Sequence, residues 1–263
     1  MKKLYGVYTN RYPQLKQTRM VIKILEILNI IILLFVVLGV HELGHLIAGL
    51  VQGFRFELFV VGPLGIKRDD NKIKLFLNKN IAHYGGLAST LPKGDHPENS
   101  KKLAIICLAG PIASVILAII LGIIYYVFEF QSSHIVLTGA LASIGIFLAT
   151  TIPDKSGTFF TDRKRYQRLT SNGKERDVEL AVLRIIGNYG KDNAYINVNP
   201  NDIETMISDE HYKYFGLFTK LTYQFETNGH FELETENEFE KASKIMPKSL
   251  VKATKMQLDK ITK

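Results

Sequence analysis

The sequence predicts an α-helical membrane protein. It has a three-helix transmembrane core, a small β-hairpin insertion and a C-terminal α-helical soluble region. Three observations carry this. Long apolar runs crowd into residues 21–152, the 128–134 turn between two of them contains no Lys or Arg, and residues 153–263 are polar and charged with helical spacing.

Residues 1–20 form a polar N-terminal segment, followed by the first span at about 21–50. A helix of that length is about 45 Å long, against a hydrocarbon core of about 30 Å. The run is too long for a signal-peptide core and ends in a motif instead of a cleavage site, so no cleavable leader is expected. The second and third spans fall at 103–128 and 135–152, and neither carries a charged residue. Small residues recur within them, at Ala109, Ala113, Ala118, Gly122, Gly139, Ser143 and Gly145. Such residues let helix backbones approach where lipid gives no hydrophobic drive for association.

The connection 53–102 reads as β-rich. Phe54–Val61 and Lys72–Leu77 have strand character, and the charged run 67–71 between them reads as a turn. Gly85-Gly86 breaks the pattern, and Leu91–Pro97 reads as a loop. Residues 21–165 together make the membrane core. Residues 166–263 make a helical domain whose starts include Asn199-Pro200. The order Gly229, Phe239, Ala242, Pro247 has a tetratricopeptide-like flavour, but a single partial copy does not make a repeat.

Charge bears on orientation and on partners. The net charge is +8, with nine Lys/Arg in 52–102 and eighteen in 153–263. No basic cluster is interleaved with aromatics, so the balance points to membrane flanks and no nucleic acid. Both basic flanks lie on one side of a three-span chain, which predicts a cytoplasmic C-terminal region in a multi-pass cell-membrane protein. The basic N-terminus runs against this assignment. The single cysteine, Cys107, excludes an intrachain disulfide and a Cys-rich zinc site.

The chemistry concentrates in His41-Glu42-Leu43-Gly44-His45, directly after an apolar run. Imidazoles four residues apart share one helix face and can both reach a Zn²⁺, with the intervening Glu free to act on water. With Ile27 at the membrane boundary, His41 lies about 21 Å along the helix and His45 about 27 Å. Ionisable groups at such depth are costly and mark a working site. A catalytic zinc usually takes a third protein ligand. The candidates are Asp154, Asp162, His83 and His134.

The His41–His45 motif in a first core span, Ala109-Gly110-Pro111 in a second and an Asp after the third resemble the site-2 protease family of intramembrane zinc metalloproteases. The resemblance covers roughly residues 27–165. It implies a zinc held by His41, His45 and an Asp, assigned here to Asp162 with Asp154 as second choice. Glu42 would pass a proton from water to the leaving amine. The connection carrying Gly85 and Gly86 would receive the substrate, by strand addition at its edge. Thr150 stands where that family has a substrate-binding Asn, and Arg163 replaces the Gly after the ligand. The implied substrate is a membrane-spanning protein or peptide in the bilayer, with a cytoplasmic protein partner for 166–263. Those two departures motivate an alternative, a catalytically silent zinc-binding scaffold or immunity-type protein of the same fold.

Overall fold

The structure, a computed structural model, describes residues 13–69, 72–79, 84–94, 96–128, 133–152, 155–156, 159–192 and 194–262. Asp154, His83 and residues 129–132 of the short turn lie outside these. Three helices are long and apolar enough to cross a membrane: α1 (Pro13–Val51), α2 (Asn99–Val127) and α3 (Ser133–Thr151). Their outward faces are bare hydrocarbon, with Ile47, Ile112, Ile119, Ile123 and Leu141 all exposed. Inside the bundle Val37, Ser114, Ala118, Ala140 and Ser143 are buried.

Small residues set the crossings. A Cβ on Gly44 would stand 2.7 Å from that of Ala113, so α1 and α2 touch there backbone to backbone. A Cβ on Gly139 would meet Leu121 at 3.0 Å and Leu33 at 3.1 Å, which seats α3 against both other spans. Gly122, expected to serve the same purpose, has open space beside it.

Between α1 and α2 lies an antiparallel sheet of four strands: β1 (Arg55–Val61), β2 (Leu64–Asp69), β3 (Lys72–Leu77) and β4 (Leu87–Leu91), in the order β3-β2-β1-β4. This enlarges the hairpin expected from sequence. The tight turn falls at Gly62-Pro63, where Gly62 has φ +54° and sits over the Phe35 ring, so the chain reverses earlier than expected. Lys67 and Arg68, read as turn residues, belong to β2 and pair with Lys74 and Ile73. Leu87–Leu91 becomes a strand because β1 offers it a second edge, with Phe59 opposite Ala88 and Val60 opposite Leu87.

After α3 a short ladder of β5 (Lys155–Ser156) and β6 (Phe159–Phe160) leads into α4 (Asp162–Thr170). Then come α5 (Lys174–Asp192), α6 (Pro200–Ile207), α7 (Lys213–Asn228), α8 (Leu233–Ser243) and α9 (Lys248–Ile261). Asn199 caps α6, with Pro200 in its first turn. Gly229, with φ +76°, ends α7. Tyr214 stacks on Phe239 while Gln224 bonds Thr235, so α7 and α8 run antiparallel. One apolar cluster joins the two regions: Phe54, Leu103, Ala104, Ile106 and Cys107 pack with Leu169 of α4 and Leu183 of α5.

Candidate active site

The spacing in α1 brings His41 and His45 one turn apart, with their Nε2 atoms 3.3 Å from each other. Oδ2 of Asp162, at the start of α4, lies 3.3 Å from His41 Nε2 and 3.4 Å from His45 Nε2. Three ligand atoms thus form a nearly equilateral triangle. Tetrahedral zinc, with bonds of about 2.0–2.1 Å, separates its ligand atoms by about 3.3–3.4 Å.

Local structure explains each placement. His45 Nδ1 donates to the carbonyl of Ile106 on α2 at 2.7 Å. A carbonyl only accepts, so the neutral ring keeps its Nε2 lone pair turned into the triangle. His41 Nδ1 shares a hydrogen bond of 2.9 Å with the buried hydroxyl of Ser114, also on α2. Gly110 leaves the space that the His45 ring fills, because a Cβ there would overlap it. Asp162 is delivered by Thr161, whose hydroxyl donates to Ile152 at the end of α3 at 3.0 Å and accepts from the Lys164 N–H at 3.4 Å. That second bond caps α4, and its first turn favours a carboxylate.

The donor set fits a metal. Asp162 Oδ2 is buried yet makes no hydrogen bond to any described protein group. Two imidazole nitrogens and a carboxylate oxygen are the ligand types borderline Zn²⁺ takes. A cleft of 490 Å³ opens beside the triangle, lined among others by Glu42, Ala88, Thr150 and Phe160.

The sequence model of peptidase family M50 matches residues 29–261. The chain belongs to peptidase family M50, the site-2 protease family. It is therefore a member of a family of membrane metalloproteases. No curated protein and no solved structure gives a significant match.

As an M50 chain, it holds the expected residues in unequal positions. Glu42 lies in the cleft, and Gly86, with φ +100°, brings β4 against it: a Cβ there would stand 2.7 Å from Glu42 Cγ. Residues 86–91 line the same cleft, so β4, an edge strand with β1 on one side, runs along the site. Thr150 lines the cleft, and its hydroxyl donates back to Ile146 at 3.0 Å. Gly85 has nothing beside it within 4 Å of where a Cβ would be. Asp154 is outside the described residues. His134, considered as a ligand, lies at the opposite end of α3 from Thr150 and is not in the cluster.

Sequence reasoning missed Ser114 and the Ile106 carbonyl. A polar Ser four residues after Gly110 in an uncharged span was the available signal. A backbone carbonyl carries no sequence signal at all.

Proposed function

We propose that this protein is an intramembrane zinc endopeptidase that cleaves a membrane-anchored protein or peptide in or near its transmembrane segment. The observation that carries the reading is the His41–His45–Asp162 triangle at metal-ligand spacing, with Glu42 beside it in an open cleft. His41, His45 and Asp162 would hold the zinc, which when bound polarises the scissile carbonyl and acidifies water. Ser114 and Ile106 orient the two rings from behind. Glu42 takes the proton of the attacking water and returns it to the leaving amine. The low-dielectric surroundings strengthen its interaction with developing charge.

A transmembrane helix hides its peptide bonds, so the substrate must unwind before attack. The free edge of β4, in the same cleft as Glu42, would support an extended backbone by strand addition. Thr150 stands across the cleft as a further polar contact. The basic flanks at 52–102 and 153–263 support a multi-pass arrangement with the C-terminal helices in the cytoplasm.

The test is cleavage of single-span reporter substrates by purified protein in detergent or liposomes. Glu42→Gln should abolish cleavage and retain zinc, whereas His45→Ala and Asp162→Ala should lose zinc. A Glu42→Gln protein that still supports full cellular function would favour the silent-scaffold alternative.

A further inference from the structure

Asp162 belongs to a helix of only nine residues, too short to be stable alone. Besides its apolar packing through Leu169 and Tyr166, that helix is gripped by a buried charge cluster supplied by the C-terminal region. Glu179 of α5 is fully buried, and its two oxygens are divided between two guanidinium groups of α4. Arg165 Nε donates to Oε2 at 3.2 Å, and Arg168 Nε donates to Oε1 at 2.8 Å. Tyr212 OH donates to the same Oε1 at 3.0 Å. Arg168, itself only 3% exposed, also reaches Glu175 at 3.2 Å and Asp209 at 2.9 Å, and its guanidinium lies 4.5 Å from the centre of the Phe160 ring.

Asp162, Arg165 and Arg168 follow at three-residue steps, so each neighbours the next on α4, with Asp162 and Arg168 about 120° apart around its axis. Buried ion pairs give little net stability compared with apolar packing. What they add is direction. Leu169 and Tyr166 pack α4 onto the apolar cluster, but apolar contact is non-directional and does not by itself fix a small roll. A roll of about 20° moves a carboxylate roughly 5 Å off the axis by about 2 Å. A metal site tolerates ligand errors of about 0.2 Å. Two guanidinium groups fixed to opposite oxygens of one carboxylate remove that freedom.

We propose that Glu179 is the positioning residue for Asp162, and that the C-terminal helices are part of the metal-binding unit because they hold its third ligand in register. This rests on the reading of the triangle as a zinc site.

The experiment uses full-length protein in detergent. Zinc affinity is measured by chelator competition, and the visible d–d absorption is recorded after Co²⁺ substitution. Glu179→Gln should weaken zinc binding about 10–100-fold and change the cobalt spectrum. Asp202→Asn, which breaks the ion pair with Arg184 between α5 and α6 and lies outside the cluster around Glu179, should leave both unchanged. Should Glu179→Gln fail to fold, Arg165→Gln removes half of the clamp and is expected to weaken zinc at least several-fold. A folded Glu179→Gln protein, or in its place a folded Arg165→Gln protein, with wild-type zinc affinity and cobalt spectrum would overturn the inference alone. A wild type that binds no zinc would overturn the proposed function and this inference together.

Discussion

The Ile106 carbonyl accepts a hydrogen bond of 2.7 Å from Nδ1 of His45, joining α2 to α1 at the candidate metal-binding pair. The contact sets the tautomer and the ring plane of one ligand from a group that no side-chain substitution removes. Its counterpart on His41 is a side chain, and so can be tested.

Ser114→Ala removes the partner of His41 Nδ1 from a fully buried position. Loss of such an outer contact costs about 10–100-fold in metal affinity. Chelator competition should show that drop, and Ser114→Thr, which keeps the hydroxyl, should recover part of it.

Gly110→Ala separates two opposing effects. Helix propensity alone would stabilise the variant by about 0.5–1 kcal/mol. The added Cβ, however, would overlap the His45 ring, with the Ile106 carbonyl holding that ring in place. The overlap should win, and metal analysis of the purified variant should find no stoichiometric zinc while circular dichroism shows an intact helical content.

Gly86→Ala acts on Glu42, the proposed acid–base group, instead of on the proposed metal site. The φ of +100° disfavours any side chain, and the new Cβ would lie 2.7 Å from Glu42 Cγ. The backbone cost is about 1–2 kcal/mol. Cleavage should fall sharply with zinc content unchanged, a pattern opposite to that of Gly110→Ala.

The Arg168 cluster predicts a pH dependence. Burial pushes the Asp209 carboxyl up, but the Arg168 guanidinium and the backbone N–H groups of His211 and Tyr212 outweigh it and hold it below the usual carboxylate range. A depressed folded-state value means that Asp209 contributes stability above its unfolded value of about 3.9, lost as pH falls through the folded value. Asp209→Asn should lower Tm by about 2–4 °C at neutral pH. Thermal melts at successively lower pH should show the gap closing only below the ordinary carboxylate range.

Much of the fold was legible because the signals were local. Uninterrupted apolar runs marked all three apolar helices, and Asn199-Pro200 marked a helix start that the structure places at α6. The sheet was only half legible. Lys67 and Arg68 look like turn residues until β3 pairs with them, and Leu87–Leu91 has no strand signature without β1 alongside. Strand identity there comes from a partner's edge, a property absent from the segment itself.

By itself, the sequence determined that two imidazoles share a face of a membrane-length helix with a carboxylate between them, because the 3.6-residue turn turns a spacing of four into proximity. Only the tertiary structure decided that Asp162 completes the triangle, that Ser114 and Ile106 stand behind the two rings, and that Glu179 grips the helix bearing Asp162. Those contacts join residues far apart in the chain, and what brings them together is helix packing around Gly44 and Gly110 and a buried ion-pair cluster, neither of which follows from local periodicity.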